Sequence, residues 1–434
     1  MQVFEHQSIC WDRTPGFTQA HFETLARYHE THPNPYYTLI HRGVKFTQYV
    51  GVLQVGSLTI EVLPKADREP VTEGSKAKWQ RILLEMLKEC HLLKVDAAST
   101  AALRLRANSI LDFYIGLFLK ETESIVRQGL VKKYRQSHGN VNALKGRLDF
   151  GRHISRNLVH QEHFYTHHQV YDKEHLINQL LYKTLALLPL LTTNPLLTDK
   201  VSRLQLAFPE LPDVAVTAAT FGNLKLDRKS LHYRAALQIA ELLLLNFRPD
   251  IQRGANHVLA ILFDMNKLFE EYVLRRLQKA TVNTSWSVSG QARTTFWQHK
   301  TLRPDIVVRQ GASSVVLDTK WKVLKAAQPS NEDLKQMFTY NHYFDATHSI
   351  LLYPFAGLLP MSKGAFVNNQ IRGGASHSCE IRFLQLVNQD GSLNRNVGAT
   401  VLGSVGGAPV TTKASSKTRV TGFSVRQPSV IYSS

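Results

Sequence analysis

The sequence is poor in cysteine and contains no long hydrophobic run. Its three cysteines lie far apart, at Cys10, Cys90 and Cys379, and so sparse and odd a set argues against a disulfide framework and a zinc ribbon. The longest apolar stretches, Leu185–Leu191 and Ala240–Leu245, are far shorter than the roughly 20 residues that span a bilayer. The N-terminal residues also lack the pattern of a signal peptide. We therefore expect a soluble, cytoplasmic protein without a membrane partner.

A nucleotide-binding P-loop is missing as well. Gly51 and Gly56 have the glycine spacing of G-x-x-x-x-G-K-[ST], but Ser57 and Leu58 follow where the motif requires lysine and a hydroxyl residue. The lysine and the hydroxyl group are needed to hold phosphates and Mg²⁺. We therefore expect no nucleotide to bind this chain, so any dependence on a nucleoside triphosphate would come from a partner.

Acidic residues are scarce relative to basic ones. The chain has 52 Lys and Arg but 34 Asp and Glu, a formal net charge of +18. Such an excess indicates a polyanionic partner, with nucleic acid as the first candidate, although charge alone does not separate DNA from RNA or from an anionic membrane surface. No acidic residue follows Asp390, and the Gly-, Ser- and Thr-rich tail is predicted to be disordered.

The chain is too long, at 434 residues, for one ordinary hydrophobic core. Hydrophobic periodicity predicts β structure over 36–66, then helices over 75–93 and 109–128. Further helices are predicted over 172–191, 231–247 and 258–279, and apolar strands at 348–355 and 380–387. These patterns divide the chain into an α+β N-terminal domain (1–160), a helical connecting region (161–257), an α/β core with a mixed sheet flanked by helices (258–395) and a basic tail (396–434).

The segment 131–156 differs from its surroundings. It is strongly basic, contains three glycines and has little apolar periodicity, which predicts an exposed loop or finger. Five histidines cluster in and just after this segment, but no cysteine accompanies them and their spacing does not suit a zinc site. We therefore predict no metal there. The histidines are His153, His160, His163, His167 and His168.

The most informative stretch is LRPDIVVRQGASSVVLDTKWK, residues 302–322. It predicts two strands, Asp305–Arg309 and Ser314–Lys322, joined by a turn at Gly311. Side chains alternate along a strand, so Asp318 and Lys320 share one face, and the hairpin brings Asp305 close to them. The simpler alternative is the solvent face of an edge strand. The apolar residues before Asp318 favour instead a central strand whose charges have a function.

Two carboxylates beside a lysine suit phosphodiester hydrolysis. Asp305 and Asp318 offer the oxygen ligands that Mg²⁺ prefers, and the lack of accompanying His or Cys ligands argues against Zn²⁺. Mn²⁺ is expected to substitute. Lys320 is placed to position the attacking water and to stabilise the charge that develops on phosphate. Glu270, on the helix that precedes the hairpin, is a further candidate metal ligand, whereas Glu271 is more simply an ion-pair partner of Arg275.

A helix is predicted to follow this hairpin, with Ser330 as its N-cap and Asp333 three residues later. Gln336 and Tyr340 are four residues apart and lie on one face. They are candidates to bind the substrate backbone or the attacking water. A pair that only covers the core is an equally good interpretation of these two residues alone.

Together, Pro304-Asp305, Asp318-Thr319-Lys320 and the Gln-x-x-x-Tyr helix resemble the PD-(D/E)xK nucleases. With YVGVLQVG, LKGRLDF, MNKLFEEYV and DLKQMFTY, the chain resembles more closely the McrC family, over about residues 36–390. This resemblance implies the DNA-cleaving subunit of an McrBC restriction system, which acts with the AAA+ GTPase McrB and stimulates it. It also implies that Asp305, Asp318 and Glu270 bind Mg²⁺, and that Lys320, Gln336 and Tyr340 complete the active site. The candidates for partner contact in the finger region are Tyr134, Arg135, Lys145 and Arg147.

Two other functions remain open from the sequence. The chain would be a non-catalytic activator of a AAA+ NTPase if its site were degraded, but all three central residues are present. It would be a stand-alone repair nuclease of the same fold if it needed no partner, but its large N-terminal half, which has no recognisable DNA-binding motif, favours a protein partner.

Overall fold

The computed structural model describes residues 1–90, 92, 109–248, 257–324, 328–357, 362–370 and 376–405. The strands are β1 Gln2–Phe4, β2 Ser8–Cys10, β3 Tyr37–Ile40, β4 Gly43–Phe46, β5 Tyr49–Val55, β6 Leu58–Leu63, β7 Lys133–Val141, β8 Arg147–Leu148, β9 Phe164–Asp172, β10 Phe247–Arg248, β11 Val258–Asp264, β12 Trp286–Gly290, β13 Thr294–Trp297, β14 Lys300–Leu302, β15 Ile306–Gln310, β16 Ser313–Thr319, β17 His348–Pro354, β18 Ser362–Gln370 and β19 Ser376–Leu384. The α-helices are α1 Gln19–Thr31, α2 Glu73–Glu89, α3 Ile110–Gln128, α4 Phe150–Asn157, α5 Leu176–Leu191, α6 Pro195–Ala207, α7 Ala218–Gly222, α8 Arg234–Asn246, α9 Met265–Ala280, α10 Asn331–Tyr343 and α11 Val397–Val405.

The N-terminal half contains a five-stranded sheet with the strand order β1-β6-β5-β11-β10. Strands β3 to β6 confirm the predicted β structure over 36–66. The predicted helix over 258–279 is wrong for its first seven residues, because Val258–Asp264 is strand β11 and pairs along its whole length with β5. A short apolar run fits a buried strand as well as a buried helix, and only the pairing decides between them. The helix begins at Met265, with Asp264 as its N-cap.

Strand β11 ties the two halves of the chain together. One continuous hydrophobic cluster contains residues of both, including Trp79 and Phe118 on the N-terminal side and Phe269 and Leu317 on the C-terminal side. The division of the chain into four segments remains a prediction. Strand β11 follows the predicted boundary at residue 257 but lies in the sheet of the N-terminal half.

Two predicted helices of the N-terminal half are confirmed. Helix α2 buries an apolar face that includes Trp79 and Met86. Helix α3 begins after Ser109, whose hydroxyl accepts a hydrogen bond from the backbone N–H of Asp112, and it ends at Gly129, where φ is +90°. A serine N-cap satisfies a free backbone N–H group at the start of a helix, and a glycine with positive φ is a common residue at its end.

The C-terminal half contains a six-stranded mixed sheet with the order β12-β15-β16-β17-β19-β18. Strands β16, β17 and β19 are parallel to one another, and the outer pairs are antiparallel. One face packs against the cluster that contains α9, through residues such as Leu317 and Ile350. The other face packs against α10, through Val316 and Met337. The predicted mixed sheet with helices on both faces is therefore confirmed.

The predicted disorder of the tail is wrong for its first residues. Val397–Val405 forms α11, in which Val397 and Val401 are buried, and a Cβ atom on Gly398 would lie 2.1 Å from the backbone oxygen of Arg276 in α9. Val397, Val401 and Leu402 lie at helical spacing and provide the buried face of this helix. The rest of the predicted tail, 406–434, lies outside the described residues.

In the described part of the chain, no helix has both the length and the apolar character needed to cross a membrane.

Candidate active site

The two central carboxylates meet at one end of β15 and β16. Asp318 lies on β16 and is almost completely buried. Asp305 lies just before β15, where its Oδ2 atom accepts hydrogen bonds from the backbone N–H and the hydroxyl of Thr319, at 2.7 and 2.8 Å. Burial and the negative charge of Asp305 raise the pKa of Asp318 well above the range of an ordinary aspartate. The hairpin thus brings these two residues together as predicted.

Lys320 lies one residue beyond β16, so the strand is shorter than predicted. The backbone N–H of Lys320 nevertheless donates a hydrogen bond to the backbone oxygen of Leu352 in β17, at 2.9 Å. Its Nζ atom is 2.8 Å from Asp318 Oδ2 and 3.5 Å from Asp333 Oδ1. Burial lowers the pKa of Lys320, but these carboxylates outweigh burial and the net effect is a raised pKa. The lysine is therefore held in its charged form beside Asp318.

Helix α10 connects the lysine to the other side of the site. Gln336 Oε1 accepts a hydrogen bond from Lys320 Nζ at 3.3 Å, and Gln336 Nε2 donates to the Tyr340 hydroxyl at 2.8 Å. The hydroxyl in turn donates to the backbone oxygen of Arg303, at 3.2 Å. The pair is therefore part of a hydrogen-bond chain between Lys320 and the segment before Asp305, rather than only a cover for the core.

The donor set fits a hard divalent cation. Asp318 Oδ2 is buried and, apart from the ion pair with Lys320, has no hydrogen bond of good geometry. Two adjacent carboxylates that repel each other provide oxygen ligands which a cation would stabilise. Glu270 is less close. It accepts a hydrogen bond from Gln291 at 2.9 Å, and burial and then the charge of Asp305 raise its pKa. Among the described residues, no three acidic, His or Cys side chains form a metal-binding group, so Glu270 as a ligand remains a prediction.

Sequence reasoning missed two residues of this cluster. Alternation along the strand directs the Thr319 side chain to the face opposite Asp318, yet the backbone N–H and the hydroxyl of Thr319 donate the two hydrogen bonds that orient Asp305. Asp333 was interpreted only as part of a helix cap. The Ser330 cap is present, at 3.1 Å from the Asp333 N–H, but the Asp333 carboxylate lies near Lys320. An acidic residue three positions after an N-cap, on a helix that follows a D-x-K strand, was the available signal.

A buried contact joins the residue after Lys320 to the N-terminal half. Trp321 Nε1 donates a hydrogen bond to Glu5 Oε1 at 2.7 Å, and the backbone N–H of Lys65 donates to the same oxygen at 2.9 Å. Glu5 Oε2 is buried without a hydrogen-bond partner among the described residues. Burial therefore raises the pKa of Glu5 to about 7, despite these two hydrogen bonds.

We expect Glu5→Gln to stabilise the protein at pH 8 and to stabilise it much less at pH 5. The folded pKa of Glu5 lies above the unfolded value of about 4.3, so the wild type loses stability as the pH rises from that value through 7. Glutamine keeps the acceptor for Trp321 and carries no charge, and the gain at pH 8 should be on the order of 1–3 kcal/mol. Thermal melting between pH 5 and 8 measures it. Glu332→Gln, at an exposed position, is the control, and a gain that does not depend on pH would contradict the explanation.

The basic finger region is a folded β structure. Strand β7 pairs with β9 along nine residues, and β8 pairs with the other edge of β9. Of the two predicted alternatives, an exposed loop is wrong for β7, β8 and α4, whereas paired and partly exposed strands are compatible with a finger. The structured region continues beyond 156 to the end of β9. Its polar sequence has no apolar period because both faces of β7 are at least partly exposed. Gly146 has φ of +69°, and a Cβ atom there would lie 2.2 Å from the backbone oxygen of His167.

The four finger residues predicted to contact a partner have different surroundings. Tyr134 is 71% exposed and packs against the Tyr171 ring. Arg135 forms ion pairs with Asp172 and Glu174, at 3.0 and 2.6 Å, and so supports the finger itself. The other two, Lys145 and Arg147, are exposed. No ion pair is found for either within the described residues, which leaves both available for a partner.

The histidines near the finger have protein partners. His167 Nε2 lies 3.1 Å from Asp149, and His168 Nδ1 lies 3.0 Å from the Thr166 hydroxyl. His153 Nδ1 is 3.2 Å from Asn157 Nδ2. These contacts place the three rings in the hydrogen-bond network of the finger region.

Fold and site define an α/β protein whose mixed sheet carries a carboxylate–lysine centre at β16, one of its two central strands. Residues 44–354 match the family described as "McrBC 5-methylcytosine restriction system component". The match covers more than half of the chain, and the chain belongs to this family. The resemblance to McrC found in the sequence motifs is thereby confirmed.

Solved structures show where the fold recurs. One similar chain belongs to the half-complex from a tetradecameric assembly of Thermococcus gammatolerans McrB AAA+ hexamers with bound McrC, with a TM-score of 0.71, 21% identity, and coverage of 93% of this chain and 99% of that one. Another belongs to the cryo-EM structure of the McrBC complex from the same organism, with a TM-score of 0.50, 22% identity, and coverage of 64% and 87%. No curated protein matches the sequence significantly. At these identities the similarity is one of fold.

Proposed function

We propose that this chain is the DNA endonuclease subunit of an McrBC-type restriction system, with a Mg²⁺-dependent site of the PD-(D/E)xK type. The observation that carries the proposal is the continuous array from Asp305 and Asp318 through Lys320 to Gln336 and Tyr340. A solvated edge strand would not bury Asp318 or connect Lys320 to a helix from another part of the chain.

Each residue of the array has a distinct task. Asp305 and Asp318 would hold Mg²⁺, which when bound polarises the phosphate and lowers the pKa of a coordinated water. Thr319 fixes the orientation of Asp305. Lys320 supplies a positive charge for the phosphate oxygens as negative charge develops on them. Gln336 holds the lysine by its Oε1 atom, so that the ammonium group need not reorganise when substrate binds.

Three observations support a AAA+ GTPase as the partner. The chain has no P-loop motif, so hydrolysis of GTP would require another subunit. A chain of similar fold comes from an assembly of McrB AAA+ hexamers with bound McrC. The finger, β7 to β9, presents exposed basic and aromatic residues.

The net charge of +18 favours DNA as the substrate.

The test is cleavage of modified and unmodified plasmid in Mg²⁺, with and without the GTPase partner and GTP. We expect cleavage only in the complete mixture, and only of DNA that the partner recognises. Cleavage by this chain alone would favour a stand-alone nuclease. Faster GTP hydrolysis by the partner without any cleavage would favour a non-catalytic activator. Mn²⁺ in place of Mg²⁺ should restore cleavage after chelation.

A further inference from the structure

A small hairpin immediately before the active site has no role in the array described above. Strands β13 and β14 pair only with each other in the described part of the chain, and we call residues 294–302 the aromatic hairpin. Its second strand ends at Leu302, three residues before Asp305. The hairpin is tied to the site at two points, since Phe296 packs edge-on against Tyr343 of α10, at 6.3 Å between ring centres, and the adjoining Arg303 backbone accepts the Tyr340 hydroxyl.

The hairpin exposes two large aromatic side chains. Trp297 is 59% exposed and Phe296 is 44% exposed. The register shifts between Thr295 and Trp297, and Gln298 has φ of +47°. A bulge of this kind re-aims side chains near functional sites. Exposed tryptophan next to an active site indicates a binding surface, because leaving its apolar area in water is unfavourable.

The charge of the hairpin specifies the kind of partner. No acidic residue occurs between Gln291 and Pro304. Arg293, Lys300 and Arg303 are all exposed, and for Arg293 and Lys300 no ion pair is found among the described residues. Aromatic faces interleaved with unpaired cations are the surface that binds nucleic acid, with bases on the rings and phosphates on the cations.

We propose that the aromatic hairpin contacts the DNA at the point of cleavage, with Trp297 stacked on or inserted beside a base and with Lys300 on a phosphate. The proposal rests on the proposed nuclease function, which supplies DNA as the substrate. Because the hairpin runs directly into Asp305 and packs on α10, a base held by Trp297 fixes the backbone phosphate relative to the two carboxylates.

The test compares DNA binding by the full chain, alone and assembled with its partner, without divalent cation so that no cleavage occurs. The probe is a duplex oligonucleotide that contains 2-aminopurine, whose fluorescence depends on how the base is stacked and should change when the wild type binds. We expect Trp297→Ala to bind about tenfold more weakly, to lose this fluorescence change and to keep the salt dependence. Lys300→Ala should reduce the slope of log K against log salt by about one. Trp297→Phe should restore most of the binding.

The matched controls are Leu206→Ala and Lys200→Ala, at exposed positions on α6, which should bind as the wild type does. Normal DNA binding by Trp297→Ala together with normal cleavage would overturn the inference while leaving the proposed function intact. Normal DNA binding with a lost stimulation of the partner would also overturn it, and would make the hairpin a protein-docking surface. A third outcome is DNA binding that Trp297→Ala weakens, together with no cleavage by the wild type in the complete mixture. This outcome would contradict the proposed function and leave the inference about the hairpin intact.

Discussion

Replacing Asp318 by asparagine is expected to lower the rate of DNA cleavage by at least about a thousandfold, while stimulation of GTP hydrolysis by the partner continues. The asparagine has the same shape, so the buried site keeps its packing, but its neutral amide oxygen binds a hard divalent cation more weakly than a carboxylate does. Lys320→Ala should cost about a hundredfold or more, because it removes the charge beside the phosphate. Plasmid cleavage and GTP hydrolysis, measured on the same assembled samples, check both expectations.

Lys322→Ala is the matched control for Lys320→Ala. Lys322 is two residues further along the same segment and is exposed, so its removal should leave cleavage within about twofold of the wild type. If Asp318→Asn also abolished stimulation of the partner, the active site and the partner contact would be one coupled unit. The contact between Trp321 and Glu5 would then be the first place to look for that coupling.

Replacing Arg147 by alanine is expected to weaken stimulation of the partner's GTP hydrolysis by roughly tenfold or more. Cleavage should fall in parallel, because it depends on the assembled complex. Arg147 is exposed on the finger next to Gly146, whose backbone geometry fixes how the strand presents it. Arginine removed from the centre of an interface commonly has an effect of this size. The GTPase rate as a function of the concentration of this chain measures it.

The control for Arg147 is Arg228→Ala, an exposed arginine outside the finger, which should not change the GTPase rate. Arg135→Ala is not a suitable comparison, because Arg135 forms ion pairs within the finger and its removal would disturb the fold. An unchanged GTPase rate for Arg147→Ala would exclude Arg147 from the partner contact.

Local patterns were enough for the core of the site. Alternation along the predicted strand placed Asp318 and Lys320 on the same side, because that depends only on the period of a strand. The short hairpin turn placed Asp305 beside them. The spacing of Gln336 and Tyr340 predicted α10, and the Ser330 cap predicted its first residue. The hydrogen bond from Lys320 to Gln336 could not be predicted in this way, since it joins two elements whose relative position depends on the packed sheet.

The sequence by itself determined the strand that leads into the D-x-K motif and the helix that follows it. It also determined the basic character of the molecule and the family that its motifs resemble. Tertiary structure alone decided that Val258–Asp264 is a strand. A short apolar run is compatible with a strand or a helix until β5 provides the backbone partners of a strand. It also decided that the polar finger is folded, since pairing with β9 along nine residues stabilises β7, a strand without a buried face. The burial of Asp318 and Glu5 was decided there too, because burial depends on which surfaces meet, and the electrostatic properties of both carboxylates follow from it.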